Sequence, residues 1–390
     1  MDKIFYRLNP WWENYYDFNY VKRDNYIKIL EKNLKLKNIV LITGLRRIGK
    51  TTILKIAIKH FIEKFNINPK KIFYITLDYY GLENYSILQL VEEYRKIHKL
   101  SYTEKIFVFL DEIGFKRDFE TQLKNLYDTE NVKIFASSSS ASVLKDKKAL
   151  LTGREAIIEI LPLTFYEFLN FKKVNITKSD SHLIESYFED YLRIGGIPEY
   201  VLNEDLEYIK QLIDDIIYKD IIAHYNLRDK RSVREFFLLL MERAGKQFSL
   251  NKISKILDIG VDTVKRYFEY FRDTYLIYAI ERCGKLNERL KSPKKIYAGD
   301  IGIKNAVTGF RDKGAIFENL VYLTIKKRNP CYVYKDKTEI DFLTEDKTLI
   351  EVKLNSELTE KQNKLFAKIK AKKKIIIDSY EKFLKFVYLN

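Results

Sequence analysis

The chain has 390 residues, of which 46% are hydrophobic and 32% are charged, and its formal net charge is +16. This composition is that of a soluble globular protein, and the length accommodates two or three domains that each bury a core. No apolar run approaches the length of a membrane span, and no charged-apolar-cleavage pattern follows Met1. We therefore expect a cytoplasmic protein without a membrane partner.

The cysteines and histidines exclude two further classes. Cys283 and Cys331 are too few and too far apart in the sequence for a disulfide framework or a thiolate metal site, which indicates a reducing compartment. The four histidines lack metal-ligand spacing, so we expect no structural zinc. The basic charge suggests a polyanionic partner such as nucleic acid. A Lys/Glu-rich surface of the kind found in thermophile proteins would give the same composition.

The first distinctive stretch is Gly-Leu-Arg-Arg-Ile-Gly-Lys-Thr at residues 44–51, which fits the phosphate-loop pattern G-x-x-x-x-G-K-[ST]. An apolar, β-branched run at 38–43 precedes it and an amphipathic helix pattern at 52–59 follows, as a strand-loop-helix phosphate site requires. Lys50 would bind the β- and γ-phosphates, and the Thr51 hydroxyl would bind Mg²⁺. The sequence therefore predicts ATP and Mg²⁺ as cofactors, with binding residues Gly44, Arg46, Gly49, Lys50, Thr51 and Thr52.

A second apolar run, at residues 105–110, ends in two acidic residues, Asp111 and Glu112. Asp111 would hold Mg²⁺ from the end of a strand, and Glu112 would orient and deprotonate the attacking water. Further strand patterns at 71–78 and 133–136 alternate with helical patterns. This alternation predicts an α/β fold with a parallel sheet covered by helices, and such sheets bind ligands at the carboxyl ends of their strands.

The region from about residue 166 to 245 has the apolar spacing of helices. From 248 to 278 the pattern is helix-turn-helix, and strand patterns near 275–281 and 294–299 complete a winged helix. Its second helix carries Lys265, Arg266 and Glu269 on the face opposite the apolar one. A winged helix of this kind often enters a DNA groove, and it can equally act as a lid or a protein-docking surface.

The last hundred residues concentrate the basic charge, with 22 Lys/Arg against 13 Asp/Glu from Lys291 to Asn390. Within them, residues 339–353 predict two strands joined by a polar turn. A turn centred on Asp346 places Asp341 opposite Glu351, and two facing carboxylates are destabilising unless a cation joins them. A divalent metal would do so, and Lys353 projects from the same face as Glu351.

The order of these motifs resembles a family. The phosphate loop, the Asp-Glu strand end, serines 137–140, Gly153-Arg154, Leu-Pro-Leu-Thr-Phe at 161–165 and Gly-Gly-Ile-Pro at 195–198 resemble archaeal and bacterial ATPases of the AAA class that carry a carboxy-terminal domain of unknown function. The resemblance implies that Ser138 senses the γ-phosphate and that Pro198 lies near the adenine. Arg154 either acts as an arginine finger supplied to a neighbouring copy, which implies a homo-oligomer, or forms a structural salt bridge to the adjacent sheet.

The carboxy-terminal motif, Asp341 followed by Glu351-x-Lys353 with Glu318 upstream, resembles the restriction-endonuclease-like fold. That resemblance implies that Asp341 and Glu351 hold Mg²⁺ and that Lys353 helps to activate water. We therefore expect a P-loop ATPase domain at 1–165, a helical lid at 166–245, a winged-helix-like domain at 246–299 and a nuclease-like domain at 300–390.

Two functions follow from this organisation. In the first, ATP binding and hydrolysis are coupled to a metal-dependent nuclease acting on DNA. In the second, the chain is a regulatory ATP switch whose carboxy-terminal domain has kept a nuclease fold only to bind DNA or protein.

Overall fold

The computed structural model describes residues 1–13, 18–141, 151, 153–177 and 179–388. The chain forms two compact units, Met1–Leu161 and Pro162–Asn390. The regions expected as a lid, a winged-helix-like domain and a nuclease-like domain all belong to the second unit.

The first unit is built on a five-stranded parallel sheet with the strand order β2-β3-β4-β1-β5. The α/β fold with a parallel sheet is therefore confirmed for this unit. Its strands are β1 Ile39–Thr43, β2 Ile72–Thr76, β3 Ile106–Asp111, β4 Val132–Ser138 and β5 Glu155–Glu159, and its helices are α1 Asp2–Leu8, α2 Asp24–Leu34, α3 Lys50–Phe65, α4 Ile87–His98 and α5 Phe119–Thr129. Every residue of β1 and β3 is buried, as expected for central strands covered on both faces.

The amino-terminal segment packs against the edge strand β2. The indole N–H groups of Trp11 and Trp12 both donate to the carbonyl oxygen of Ile72, at 3.3 and 2.8 Å. The Asn9 side chain accepts from the backbone N–H of Tyr74 at 2.6 Å and donates to its carbonyl at 2.9 Å. These bonds occupy backbone groups that an edge strand would otherwise leave unpaired, and they fix the position of Tyr74.

The second unit combines helices with two small sheets. The three-stranded antiparallel sheet has the order β6-β8-β7, and the four-stranded mixed sheet has the order β12-β11-β10-β9. The strands are β6 Gln247–Phe248, β7 Ile277–Ile280, β8 Lys294–Ala298, β9 Cys331–Lys335, β10 Thr338–Leu343, β11 Thr348–Val352 and β12 Lys373–Ile377. The helices are α6 Phe165–Phe171, α7 Ile184–Ile194, α8 Pro198–Asn203, α9 Leu206–Asp215 with a π-helical continuation Ile216–Ala223, α10 Lys230–Glu242, α11 Leu250–Leu257, α12 Val261–Asp273, α13 Leu286–Lys291, α14 Ile301–Thr308, α15 Lys313–Ile325, α16 Glu360–Lys368 and α17 Tyr380–Tyr388.

Two helices, α11 and α12, lie in the region 248–278 where a helix-turn-helix was expected. Val264, Phe268 and Phe271 form the buried face of α12, while Lys265 and Arg266 are exposed on its other side. The buried residues follow helical spacing, which is why the sequence pattern found this helix.

The cysteine prediction was wrong. Cys283 and Cys331 form a disulfide, with their Cα atoms 5.1 Å apart. A short pairing of the two segments, in which Cys283 N–H donates to the Tyr332 carbonyl at 2.7 Å, brings the cysteines together although 48 residues separate them in sequence. The cysteines therefore give no support to a reducing compartment, and the cytoplasmic location stays a prediction.

None of the helices in the described part of the chain has both the length and the apolar character needed to cross a bilayer.

Candidate functional site

The phosphate loop begins and ends at glycines that no other residue could replace without strain. Gly44 has φ of +142°, and a Cβ there would lie 2.5 Å from the carbonyl oxygen of Ile160. Gly49 has φ of +96° and immediately precedes α3. Both values lie where L-residues with a Cβ are disfavoured. The loop thus turns sharply from the end of β1 into the amino terminus of α3, where backbone N–H groups favour an anion.

Lys50 is the first residue of α3, and its side chain crosses the loop. Its Nζ donates to the carbonyl oxygens of Gly44 and Leu45, at 3.0 and 3.1 Å. The next residue, Thr51, donates its hydroxyl to Asp111 Oδ2 at 2.6 Å. The structure therefore brings the loop and the end of β3 into direct contact.

Asp111 is buried among hydroxyl groups. Besides Thr51, it accepts from the Tyr74 hydroxyl at 2.9 Å and from the Ser137 hydroxyl. Burial, together with the facing Asp111 carboxylate, raises the pKa of Tyr74 far above its usual value, so Tyr74 stays a hydrogen donor. Neighbouring parallel strands supply these groups, since Tyr74 lies on β2 and Ser137 on β4.

These oxygen atoms suit Mg²⁺, which prefers carboxylate and hydroxyl ligands. Thr51 and Asp111 would hold the ion, and Tyr74 and Ser137 would orient the Asp111 carboxylate. Tyr74 was missed by the sequence reasoning because it lies inside a strand pattern that indicated only core packing. The parallel pairing of β2 with β3 is the signal that could have found it.

Glu112 follows Asp111 in a left-handed backbone conformation, with φ of +53°. Its N–H donates to the Ser137 hydroxyl at 3.1 Å, and its Oε1 accepts from the Ser139 hydroxyl at 2.5 Å. Ser138, the expected γ-phosphate sensor, is buried, and its hydroxyl bonds within its own turn to the backbone of Ser140. Ser139 is thus the serine that contacts the Glu112 carboxylate.

The remaining predicted residues of the nucleotide site lie as follows. Arg46 and Thr52 are half-buried in the loop and the first turn of α3. Arg154 pairs at 3.3 Å with Asp128, which lies on the helix α5 and not on the sheet. Pro198, in the second unit, is the first residue of α8.

A second candidate site lies between β10 and β11. Phe342 pairs with Ile350 in this antiparallel ladder, which is the predicted register and places Asp341 beside Glu351. The Asp341 N–H donates to Glu351 Oε2 at 3.0 Å, and the Val352 N–H donates to Asp341 Oδ2 at 2.9 Å. Glu351 Oε1 accepts from Gln362 at 2.9 Å and lies 3.3 Å from the Lys353 ammonium.

An unexpected residue, Lys295 on β8, binds the carboxylates of this second site. We call the cluster of Lys295, Glu318, Glu339, Asp341 and Glu351 the carboxylate centre. Its Nζ lies 2.9 Å from Asp341 Oδ1, 2.7 Å from Glu318 Oε1 and 2.6 Å from Glu339 Oε1. Burial would lower the pKa of Lys295, but the carboxylates of Asp341 and Glu318 hold it well above its usual value. Burial and the facing Asp341 carboxylate also raise the pKa of Glu318 and of Glu351 to about 8.

This arrangement does not fit a divalent metal. Each carboxylate already has a cation from the protein, since Asp341 Oδ1 lies 2.9 Å from the Lys295 ammonium and Glu351 Oε1 lies 3.3 Å from the Lys353 ammonium. In the part of the chain that the structure describes, no group of three or more His, Cys, Asp or Glu side chains is arranged to hold a metal ion. The predicted residues Glu318, Asp341, Glu351 and Lys353 are brought together, but around an ammonium group.

Comparison with known proteins finds three family matches along the chain. Residues 36–169 match the family described as an AAA domain, and residues 185–314 and 313–387 match two domains of unknown function, DUF8612 and DUF4143. An uncharacterized protein of Methanocaldococcus jannaschii, MJ1544, is 30% identical over 92% of this chain and 83% of its own length. The chain belongs to the family of that protein. The first unit of the present chain is an AAA-class P-loop domain of the ATPase type.

Other relatives are uncharacterized as well. MJ1637 of the same organism is 29% identical, over 93% of this chain and 84% of its own length. A Haemophilus influenzae protein is 27% identical over 83% of each chain. Among solved structures, the Walker-type ATPase of Pyrococcus abyssi has a TM-score of 0.47 at 15% identity, covering 74% of this chain and 96% of its own. That likeness is too distant to assign a function.

Proposed function

We propose that the first unit binds ATP with Mg²⁺ and hydrolyses it. The observation that carries the proposal is the contact between the Thr51 hydroxyl and Asp111, 2.6 Å long, beside a loop whose glycines turn its backbone into the start of α3. This contact joins the phosphate-binding loop to the acidic strand end, which is the pairing that phosphoryl transfer requires.

The residues of the site have distinct tasks in this proposal. The loop N–H groups and Lys50 bind the phosphates and offset the charge that develops on them. Thr51 and Asp111 hold Mg²⁺, which when bound neutralises phosphate charge. Glu112 accepts the proton of the attacking water. Ser139 positions the Glu112 carboxylate, and Tyr74 positions that of Asp111.

Four further residues have proposed roles. Arg46 and Thr52 add contacts to the nucleotide from the loop and the first turn of α3. Ser138 senses the γ-phosphate through its turn. Arg154 acts as an arginine finger in a homo-oligomer only if it leaves Asp128, and that exposed ion pair is weak enough to exchange.

Glu112→Gln tests the hydrolytic step directly. The amide keeps the size of the side chain but cannot accept the proton, so we expect ATP binding to persist and turnover to fall by about 10²-fold or more. A fluorescent ATP analogue measures binding, and phosphate release measures turnover. Glu83→Gln, a carboxylate on a neighbouring loop of the same unit, is the matched control. Unchanged turnover in the Glu112→Gln protein would remove that residue from the mechanism.

For the second unit we propose nucleic acid as the partner; cleavage of DNA by the carboxy-terminal domain is the competing function, and the experiment below is designed to detect it. The excess of nine positive charges over the last hundred residues supports binding to a phosphate backbone. The register that places Asp341 beside Glu351 and Lys353 supports a nuclease ancestry. Incubating supercoiled DNA with the protein and Mg²⁺ or Mn²⁺ tests cleavage, with Asp341→Asn as the control for a contaminating nuclease.

The alternative, a regulatory ATP switch with a non-cleaving carboxy-terminal domain, predicts binding without cleavage. The Lys295 contacts favour this alternative, because they give the carboxylates a cation from the protein itself. ATP hydrolysis in the first unit is compatible with either function.

A further inference from the structure

Lys295 is the least expected residue of the carboxylate centre. Its side chain is 1% exposed, and it touches carboxylates from two elements: Glu318 on α15, and Glu339 and Asp341 on β10. Isolated buried ammonium groups are costly, so a lysine persists in such a place only when anions surround it. The carboxylates and the lysine therefore stabilise one another.

The ammonium uses the oxygens that a metal would need. Asp341 Oδ1 and Glu318 Oε1 face the Lys295 Nζ, at 2.9 and 2.7 Å. The other Asp341 oxygen accepts from the Val352 N–H, and the Glu351 carboxylate is held by the Asp341 N–H and by Gln362. A metal could bind here only after Lys295 withdrew from three carboxylates and the backbone bonds rearranged.

Two other residues of the three-stranded sheet bind the same carboxylates as Lys295. Tyr297, two residues along β8 and on the same face, donates its hydroxyl to Glu318 Oε1 at 2.7 Å. Gln247 on β6 donates to Glu339 at 2.7 Å. Three residues of the three-stranded sheet thus bind carboxylates carried by α15 and by β10 of the four-stranded sheet.

We propose that the Lys295 ammonium is the resident cation of this centre in place of a divalent metal. The centre then works as a buried ion-pair joint that fixes the three-stranded sheet to the carboxy-terminal region, and it has no metal-dependent cleavage activity. This proposal is independent of ATP hydrolysis, because every group in it belongs to the second unit.

Binding of Mn²⁺ to the nucleotide-free protein tests the proposal, since electron paramagnetic resonance counts the free ion. Wild type and Asp341→Asn should bind the same number of Mn²⁺ ions, because a metal at the phosphate loop would be common to both. Lys295→Met should create one additional Mn²⁺ site, and the double variant Lys295→Met/Asp341→Asn should lose it. Lys294→Met is the matched control, because Lys294 precedes Lys295 on β8 but pairs with Glu281 at the surface.

Thermal unfolding gives a second measurement. Without metal, Lys295→Met should lower the Tm by roughly 10 °C, because it leaves buried carboxylates without their partner. Mn²⁺ should recover part of that loss in Lys295→Met and should leave the wild-type Tm unchanged. A Tm for Lys295→Met equal to that of wild type would overturn the ion-pair joint.

The decisive comparison does not require the lysine variant to fold. One Mn²⁺ ion more on wild type than on Asp341→Asn, or on Glu351→Gln, would show that a metal occupies the centre and would overturn the proposal. Equal binding by all three proteins supports it.

Discussion

Asp111 in the first unit and Asp341 in the second are both buried on strands, but they receive different partners. The side chains that donate to Asp111 in the described part of the chain are the hydroxyls of Thr51, Tyr74 and Ser137. Asp341 receives an ammonium and a backbone N–H. Hydroxyl donors fix a carboxylate without neutralising it, whereas an ammonium supplies the opposite charge.

This difference bears on what each carboxylate can bind. A metal gains Coulomb energy from a carboxylate whose negative charge is still available, as at Asp111. At Asp341 a metal must displace the Lys295 ammonium, which is buried and would lose its anionic partner. A carboxylate motif in a sequence therefore indicates a metal site only when the fold does not already pair those carboxylates with a cationic side chain.

The largest expected effects are in the first unit. Lys50→Ala and Asp111→Asn should each lower ATP turnover by about 10²–10³-fold, because each removes a preorganised charge from the phosphate site. Turnover is measured by phosphate release at saturating ATP and Mg²⁺. Lys64→Ala, which removes an exposed lysine near the other end of α3, is the control and should behave as wild type.

Asp341→Asn sharpens the comparison from the other side. All its hydrogen-bonding partners belong to the second unit, so ATP turnover should stay within about twofold of wild type while the Tm falls, because the buried Lys295 loses one of its anions. A loss of turnover as large as that of Asp111→Asn would mean that the two carboxylates serve one reaction.

A smaller effect is expected at Tyr74, which contacts Asp111 but not the nucleotide in the proposed mechanism. Tyr74→Phe removes only the hydroxyl. Loss of such a supporting bond typically lowers metal affinity or activity by about 10–100-fold, so we expect the Mg²⁺ concentration for half-maximal turnover to rise about tenfold. Tyr94→Phe is the matched control, since the Tyr94 hydroxyl donates to the Lys70 carbonyl instead. If raising the Mg²⁺ concentration fails to restore Tyr74→Phe, the hydroxyl does not act through the metal.

The first unit could be predicted from local patterns. The apolar runs before Gly44 and before Asp111 indicate strands, and the glycine spacing indicates a loop whose backbone conformation few other sequences adopt. What the pattern could not supply were the hydroxyls of Tyr74 and Ser139, because their contacts depend on the order and register of neighbouring strands. Ser138 was selected from the sequence, whereas the serine that contacts Glu112 is the next residue, Ser139.

In the second unit, the facing of Asp341 and Glu351 was predictable because a short hairpin fixes its own register. Lys295 was not, because it lies 46 residues from Asp341 and comes from another sheet. A signal did exist, although we did not use it: residues 295 and 297 share one face of a strand, which places a lysine beside a tyrosine. The disulfide of Cys283 was missed for the same reason of long-range contact.

The smallest expected effect concerns DNA and the exposed face of α12. Among the residues that the structure describes, Lys265 and Arg266 bond to neighbours three residues away on their own helix, Asp262 and Thr263. Exposed pairs of this kind are worth little, so both cations can turn to phosphates at small cost. Reversing both charges to Glu should weaken DNA binding several-fold and should reduce the slope of log K against log salt by about 0.9 for each lost phosphate contact.

Fluorescence anisotropy with a labelled duplex at several salt concentrations measures both quantities. ATP turnover should not change, because α12 belongs to the second unit. Reversing Lys230 and Arg231, which are exposed on α10 outside the basic last hundred residues, is the matched control, since it changes the net charge equally on another helix of the second unit. An equal loss of affinity in both double variants would mean that the binding is a property of the overall charge. A flat salt response in wild type would mean that the basic surface serves solubility or a protein partner.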